Sequence, residues 1–138
     1  MLDDLKYIHS KDIEDALGVA INQWEQLQID VTPSKEFNFG NVYNVVLAGM
    51  GGSALPGVFF TSWPKLSEPF EISRNYTVPD YVDHESLVIV SSYSGNTEES
   101  LSALEDARSK NAQIVVVAAG GQLIEKAIEY DLPIITIP

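Results

Sequence analysis

Short runs of bulky apolar residues alternate along the chain with longer segments in which apolar positions recur every three or four residues. Val42 to Ala48, Phe70 to Asn75, Leu87 to Val90, Gln113 to Ala118 and Pro133 to Ile137 read as five strands. Leu87-Val88-Ile89-Val90 has four apolar residues in a row, so the sheet it joins is covered on both faces, as parallel sheets are. The intervening segments predict helices. Ser10 to Gln28 places Ile13, Leu17, Ala20, Ile21, Trp24 and Leu27 on one face, with Ser10 as N-cap. A short helix carries Pro56 in its first turn, continues through Val58, Phe59 and Phe60, and stops at Pro64. Asn96 to Ser109 starts with Asn96 as N-cap and Glu99 three residues on, then repeats Leu101, Leu104 and Ala107. Gln122 to Tyr130 turns Leu123, Ala127 and Ile128 inward, while Ile29 to Asn41 and Asn75 to Ser86 are polar connections. The pattern predicts an α/β fold with three αβα layers and a five-stranded parallel sheet of flavodoxin-like order 2-1-3-4-5.

Two turns in this scheme carry chemistry. Ser91-Ser92-Tyr93-Ser94-Gly95-Asn96-Thr97 joins the third strand to its helix almost wholly with hydroxyls, and Gly95 leaves the backbone unobstructed. Unpaired N–H groups at the helix start, the positive end of its dipole and the hydroxyls of Ser92, Ser94 and Thr97 suit a phosphate. The same residue types also serve ordinary capping, so one such turn would not decide the matter. The second is Gly49-Met50-Gly51-Gly52-Ser53-Ala54 after the first strand, where glycines permit a tight turn and close approach of a ligand. In the predicted strand order both turns fall at one sheet edge, beside the switch point where such sheets bind ligands.

Gly49, Gly51 and Ala54 also satisfy the dinucleotide fingerprint G-x-G-x-x-A. That motif needs an acid at the end of the next strand, and Glu71 stands at its beginning, with Arg74 and Asn75 at its end. This weighs against a nicotinamide or flavin cofactor without closing the question. Tyr76, Tyr81 and His84 are further candidates for lining the site, with surface positions favoured for the last two.

Composition narrows the function classes. The 138 residues fit one domain with a real core, and 45% of them are hydrophobic. The chain has no cysteine and only His9 and His84, far apart, so neither a disulfide framework nor a zinc site is expected, and no cofactor is implied. A net charge of −12 with eight scattered basic residues argues against nucleic acid. The same charge repels a small anion, so a phosphate site must work through amides, hydroxyls and a helix dipole. No apolar run approaches a membrane span and the first residues lack the regions of a signal peptide, which predicts a cytoplasmic protein without membrane contact.

Gly49-Met50-Gly51-Gly52-Ser53 and Ser92-Tyr93-Ser94-Gly95-Asn96-Thr97-Glu98-Glu99, in this order and spacing, resemble the paired loops of the sugar isomerase (SIS) domain. More narrowly they resemble the first SIS domain of the bifunctional phosphoglucose/phosphomannose isomerase family, and the likeness covers nearly the whole chain. The resemblance implies an enzyme that interconverts glucose 6-phosphate, and mannose 6-phosphate, with fructose 6-phosphate. It implies that Ser92, Ser94, Gly95, Asn96 and Thr97 grip the phosphate and that Gly51, Gly52 and Ser53 line the sugar side. The family's glutamate base, its ring-opening histidine and lysine and its arginine belong to segments after the fifth strand, and nothing in this chain matches them. Residues 1–138 are therefore expected to form one SIS domain of a two-domain protein, without catalytic residues, inactive alone and associating as a homodimer. Glu98 and Glu99 most simply serve the helix cap and dipole. The alternative implied by the same domain is a non-catalytic sugar-phosphate sensor, which would bring a basic DNA-binding module that this acidic chain lacks.

Overall fold

A computed structural model describes residues 4–62 and 66–138, which form two compact units, Met1–Asp30 and Val31–Pro138. In the first unit, helix α1 (Leu5–Lys11) is capped by Asp4, whose carboxylate accepts the N–H groups of Lys6 and Tyr7 at 3.1 and 3.2 Å. Helix α2 (Ala16–Asn22) follows and runs into a 3-10 stretch, Gln23–Gln28. A continuous helix over 10–28 is therefore not formed, and Ser10 lies inside α1 rather than at an N-cap. The break comes from local competition for backbone donors. Asp12 accepts the N–H groups of Ala16 and Leu17, each at 2.8 Å, and Asp15 adopts a left-handed φ of 51°. Those two amides hold the Asp12 carboxyl below its ordinary value. Of the predicted apolar face, Ile13, Leu17, Ala20, Ile21 and Trp24 are exposed, and the side chain of Leu27 lies outside the described set.

The second unit is built on five parallel strands in the order β2-β1-β3-β4-β5: β1 (Asn44–Gly49), β2 (Phe70–Ser73), β3 (Ser86–Ser92), β4 (Gln113–Ala118) and β5 (Ile134–Thr136). The flavodoxin-like order expected from the alternation of elements is the order observed. Helices α4 (Glu98–Ser109) and α5 (Gly121–Glu129) cover one face, and α3 (Leu55–Ser62) lies on the other. The proposed stop of α3 at Pro64 falls outside the described residues. Between β2 and β3 the crossover is made by an irregular segment rather than a helix.

Period-two alternation sorts the strand residues between the two faces. Val46, Ala48, Val88, Val90, Ile114, Val116 and Ala118 face α4 and α5 and pack with Ala103, Leu104, Ala107, Leu123 and Ala127. Leu104 and Leu123 are wholly buried, and truncating either to alanine should cost about 2–5 kcal/mol. Ile128, expected to point inward, is exposed. It stands five residues from Leu123, about 140° round the helix, and the buried stripe is completed by Ala127 instead. The opposite face is more open. Val45, Leu47, Ile89, Ser91 and Val117 line a cavity of about 310 Å³ with Gly57 and Phe60 of α3.

The connection preceding β1 is used to cover an edge. Pro33 bridges Ile135, Ser34 donates its N–H to the Ile134 carbonyl at 2.8 Å, and the Ile134 N–H donates to Ser34 Oγ at 3.0 Å. The short outer strand β5 is thus paired on the side that would otherwise be bare.

Candidate functional site

Three loops leave the carboxyl ends of adjacent strands: the glycine loop after β1, the hydroxyl loop after β3, and a third loop, Ala119-Gly120, after β4. Register fixes the first two side by side, because Gly49 pairs with Ser91 at the ends of β1 and β3. The second and third are adjacent because Ser92 pairs with Ala118. The structure thus brings both loops singled out in the sequence to one edge of the sheet.

The hydroxyl loop is a tight turn from Ser92 to Gly95. The Gly95 N–H donates to both the carbonyl oxygen and Oγ of Ser92, each at 3.1 Å, and Gly95 itself has φ +67°. Ser92 is buried, and its Oγ lies 2.9 Å from Thr97 Oγ1. Ser94 is exposed and its Oγ accepts the Asn96 N–H at 3.3 Å. Helix α4 starts after Thr97, which is its N-cap in place of Asn96, and no side chain caps it. Its first backbone acceptor, the Thr97 carbonyl, takes the Leu101 N–H at 3.0 Å, so the amides of the first turn are left for another acceptor.

Asn96 has a different duty from the local cap expected of it. Its Oδ1 accepts the Gln122 N–H of α5 at 3.1 Å, and its Nδ2 donates to the Ser94 carbonyl at 3.2 Å. The third loop is therefore fastened to the hydroxyl loop. Ala119 N–H donates to the Tyr93 carbonyl at 3.0 Å and Leu123 N–H to the Gly95 carbonyl at 2.9 Å. A methyl group on Gly95 would overlap the Gly120 carbonyl, and one on Gly121, at φ +74°, would overlap that of Ser94.

On the other side, Ser53 Oγ accepts the Tyr93 N–H at 3.1 Å and joins the glycine loop to the hydroxyl loop. Gly51, at φ +51°, and Gly52 have open space where a side chain would stand. Both are exposed in a 3-10 turn, Gly51–Ala54, that leads into α3. Ser53, Ser94 and Ser92 thus each accept a backbone N–H. A hydroxyl that accepts still has its own hydrogen to donate.

The rim is acidic. Glu98 and Glu99 lie in the first turn of α4, and the Tyr76 hydroxyl donates to Glu98 at 3.3 Å. The carboxylates of Glu99 and then Glu98 hold the Tyr76 phenol above its ordinary value. Tyr81 belongs to another place: it donates to Glu71 at 2.8 Å, and burial followed by that bond pushes its phenol up to about 12. The His84 carbonyl accepts from Gln113 at the start of β4, on the sheet edge opposite the loops. Glu71 pairs in register with Val46, three residues short of Gly49 at the end of β1. The acid required by a dinucleotide fold is therefore not at the loop edge. Among the described residues, no three His, Cys, Asp or Glu side chains are grouped as metal ligands, and no helix is long and apolar enough to cross a membrane.

Comparison with known proteins agrees with this arrangement. A family model described as the SIS domain matches residues 39–136. The chain is 45% identical over 100 residues to a bifunctional phosphoglucose/phosphomannose isomerase of Caldicellulosiruptor bescii, covering 71% of this chain and 30% of that protein. It is 35% identical over 119 residues to the protein of the same name from Aquifex aeolicus, covering 84% of this chain and 35% of the relative. The chain thus spans about a third of the length of these relatives. Among solved structures, tagatose-6-phosphate ketose/aldose isomerase from Escherichia coli superposes with a TM-score of 0.60 at 26% identity, over 90% of this chain and 35% of that one.

Proposed function

The chain belongs to the SIS domain family, and on that footing we propose that its loop edge holds the phosphate of a hexose 6-phosphate during aldose–ketose isomerisation. The substrate pair we assign is glucose 6-phosphate, with mannose 6-phosphate, and fructose 6-phosphate, after the names of the relatives. The observation that carries the reading is the union of two loops at one edge, with Ser53 Oγ bound to the Tyr93 N–H and the first turn of α4 uncapped.

The chemistry follows from which hydrogens remain. Gly95 N–H donates to Ser92 Oγ, and the Ser92 and Thr97 hydroxyls share one hydrogen bond in which either can donate; with an anion bound, Ser92 takes the donor role and the Thr97 hydrogen turns to the anion. Ser94 accepts from Asn96 N–H and donates outward. The half-buried Thr97 and exposed Ser94 then act with the first amides of α4, while buried Ser92 polarises Thr97 from behind. The hydrogen bonds to an ionised phosphate are charge-assisted and need no cation in this acidic chain. Gly51, Gly52 and Ser53 face the sugar, where the missing side chains leave room for the ring.

In this reading the segment supplies binding and orientation. Fixing the phosphate anchors the sugar, and that remote energy is used to orient C1 and C2 for proton transfer. Glu98 accepts from Tyr76 and, with Glu99, occupies the helix start, so neither is assigned the base that carries the proton between the two carbons. The 138-residue chain should therefore bind without turning over.

Calorimetric titration with glucose 6-phosphate, inorganic phosphate and glucose tests this directly. The expected order is glucose 6-phosphate tighter than phosphate, with no detectable binding of glucose. Equal affinity for glucose and its phosphate would refute the anchor, and measurable isomerisation by the purified chain would refute the assignment of binding alone.

A further inference from the structure

We propose that Asn96 is a positioning residue that caps α5 from the neighbouring loop and so couples the ligand-holding turn to the second helix of the sheet face. The coupling to ligand rests on the phosphate reading above; the cap itself does not.

Helix α5 begins after Gly120, which has no side chain with which to cap it. Its early amides are nevertheless satisfied by the hydroxyl loop: Gln122 N–H by Asn96 Oδ1 and Leu123 N–H by the Gly95 carbonyl. The capping oxygen comes from 26 residues away in sequence. The other end of the same amide donates to the carbonyl of Ser94, the residue whose hydroxyl the phosphate reading uses. One planar side chain thus holds both the helix start and the tip of the loop.

Glycines make the approach possible. Gly95 lies against the Gly120 carbonyl and Gly121 against that of Ser94, with both in the left-handed region that side chains rarely occupy. Leu123, one residue beyond the capped amide, is wholly buried against the sheet and anchors α5 to the core. The loop tip is consequently tied to the core through Asn96 and α5, and an anion that orders the tip also orders the start of α5. In this role Asn96 spends its side chain on the scaffold, in contrast to the direct phosphate contact implied by the family resemblance.

Amide hydrogen exchange of the full 138-residue chain at Gln122 and Leu123, with and without glucose 6-phosphate, tests the proposal. In the free protein Asn96→Ala should speed exchange at Gln122 about five-fold, the effect of a lost cap. Asn96→Asp, which keeps an oxygen for the same N–H, should exchange as the wild type does. Glucose 6-phosphate should slow exchange at both amides in the wild type and lose that effect in Asn96→Ala. Unchanged exchange at Gln122 in Asn96→Ala would overturn the cap, as would an Asn96→Asp variant that behaves like the alanine. A loss of affinity in Asn96→Ala with exchange unaltered would make Asn96 a direct ligand contact and also overturn it. If the wild type binds no glucose 6-phosphate, the phosphate reading and the coupling fail together, and the free-protein comparison still decides the cap. Should Asn96→Ala not fold, Asn96→Ser, whose hydroxyl is too short to reach the Gln122 N–H, takes its place with the same expected and overturning results.

Discussion

The two loops at the sheet edge are both rich in small residues, yet they are built in opposite ways. The hydroxyl loop is held from both flanks: Tyr93 N–H by Ser53, the Tyr93 carbonyl by the third loop, and the Gly95 carbonyl and Asn96 by Leu123 and Gln122 of α5. The glycine loop has open space around Gly51 and Gly52 and is joined to the tip of its neighbour through the hydroxyl of Ser53. The difference teaches that glycine is used for two physical ends. At Gly95 and Gly121 it lets two backbones touch, and at Gly52 it leaves a gap. An anion of fixed shape profits from a rigid cradle, since donors already in place lose little entropy on binding. Under the proposed function, the open space at Gly51 and Gly52 is where the sugar would lie.

Substitution at these glycines should separate the two uses most sharply. Gly95→Ala combines a left-handed φ with overlap on the Gly120 carbonyl and should destabilise the fold by about 3 kcal/mol or more in urea unfolding. Gly52→Ala meets nothing within 4 Å and should stay within about 0.5 kcal/mol of the wild type, while weakening sugar phosphate more than inorganic phosphate. Equal stability losses would erase the distinction.

Next in size is Ser94→Asp, which sets a carboxylate where the phosphate is proposed to lie. Titration should find glucose 6-phosphate affinity reduced by about a hundred-fold or more, with little change in unfolding. Unchanged affinity would move the site elsewhere. Ser53→Ala removes the acceptor for Tyr93 N–H and should cost about 1 kcal/mol, because exposed Tyr93 can turn to water. Its larger effect is expected on binding, where the two loops lose their common fastening.

The smallest effect concerns the brace beneath the third loop. Glu105 of α4 accepts from Lys126 and Tyr130 of α5, and Arg108 stacks on the Tyr130 ring at 3.2 Å. The Lys126 bond, chiefly, holds the Glu105 carboxyl below its ordinary 4.5. A carboxyl depressed in the folded state stabilises above its unfolded value, and that contribution is lost as pH falls through the folded one. Stability should therefore decline below about pH 4.5, and Glu105→Gln should flatten that part of the profile by less than about 1 kcal/mol, given its solvent exposure. A profile that Glu105→Gln leaves unchanged would show that the brace contributes nothing.

The sheet was legible because parallel strands covered on both faces require unbroken apolar runs, and Gln113 to Ala118 has the same bounds in sequence and structure. The meeting of the glycine and hydroxyl loops at one edge was legible for a related reason: in the order 2-1-3-4-5 the turns after the first and third strands fall side by side. What escaped depends on partners distant in the chain. Asn96 with Glu99 reads as a local cap, and only the pairing of β3 with β4 reveals that its oxygen serves Gln122. The contacts of Gly120 and Gly121 with Gly95 and Ser94 are tertiary and leave no local signal in the sequence. The break at 12–15 comes from Asp12 and Asp15, whose side chain and backbone divert the helix, whereas the apolar spacing across them predicts a continuous one.

The direct test of the central claim is the position of the anion in crystals of this chain grown with glucose 6-phosphate. The account predicts the phosphate within hydrogen-bond distance of the Ser94 and Thr97 hydroxyls and the first amides of α4, with the sugar toward Gly51, Gly52 and Ser53. A phosphate seated anywhere other than between these two loops would contradict it.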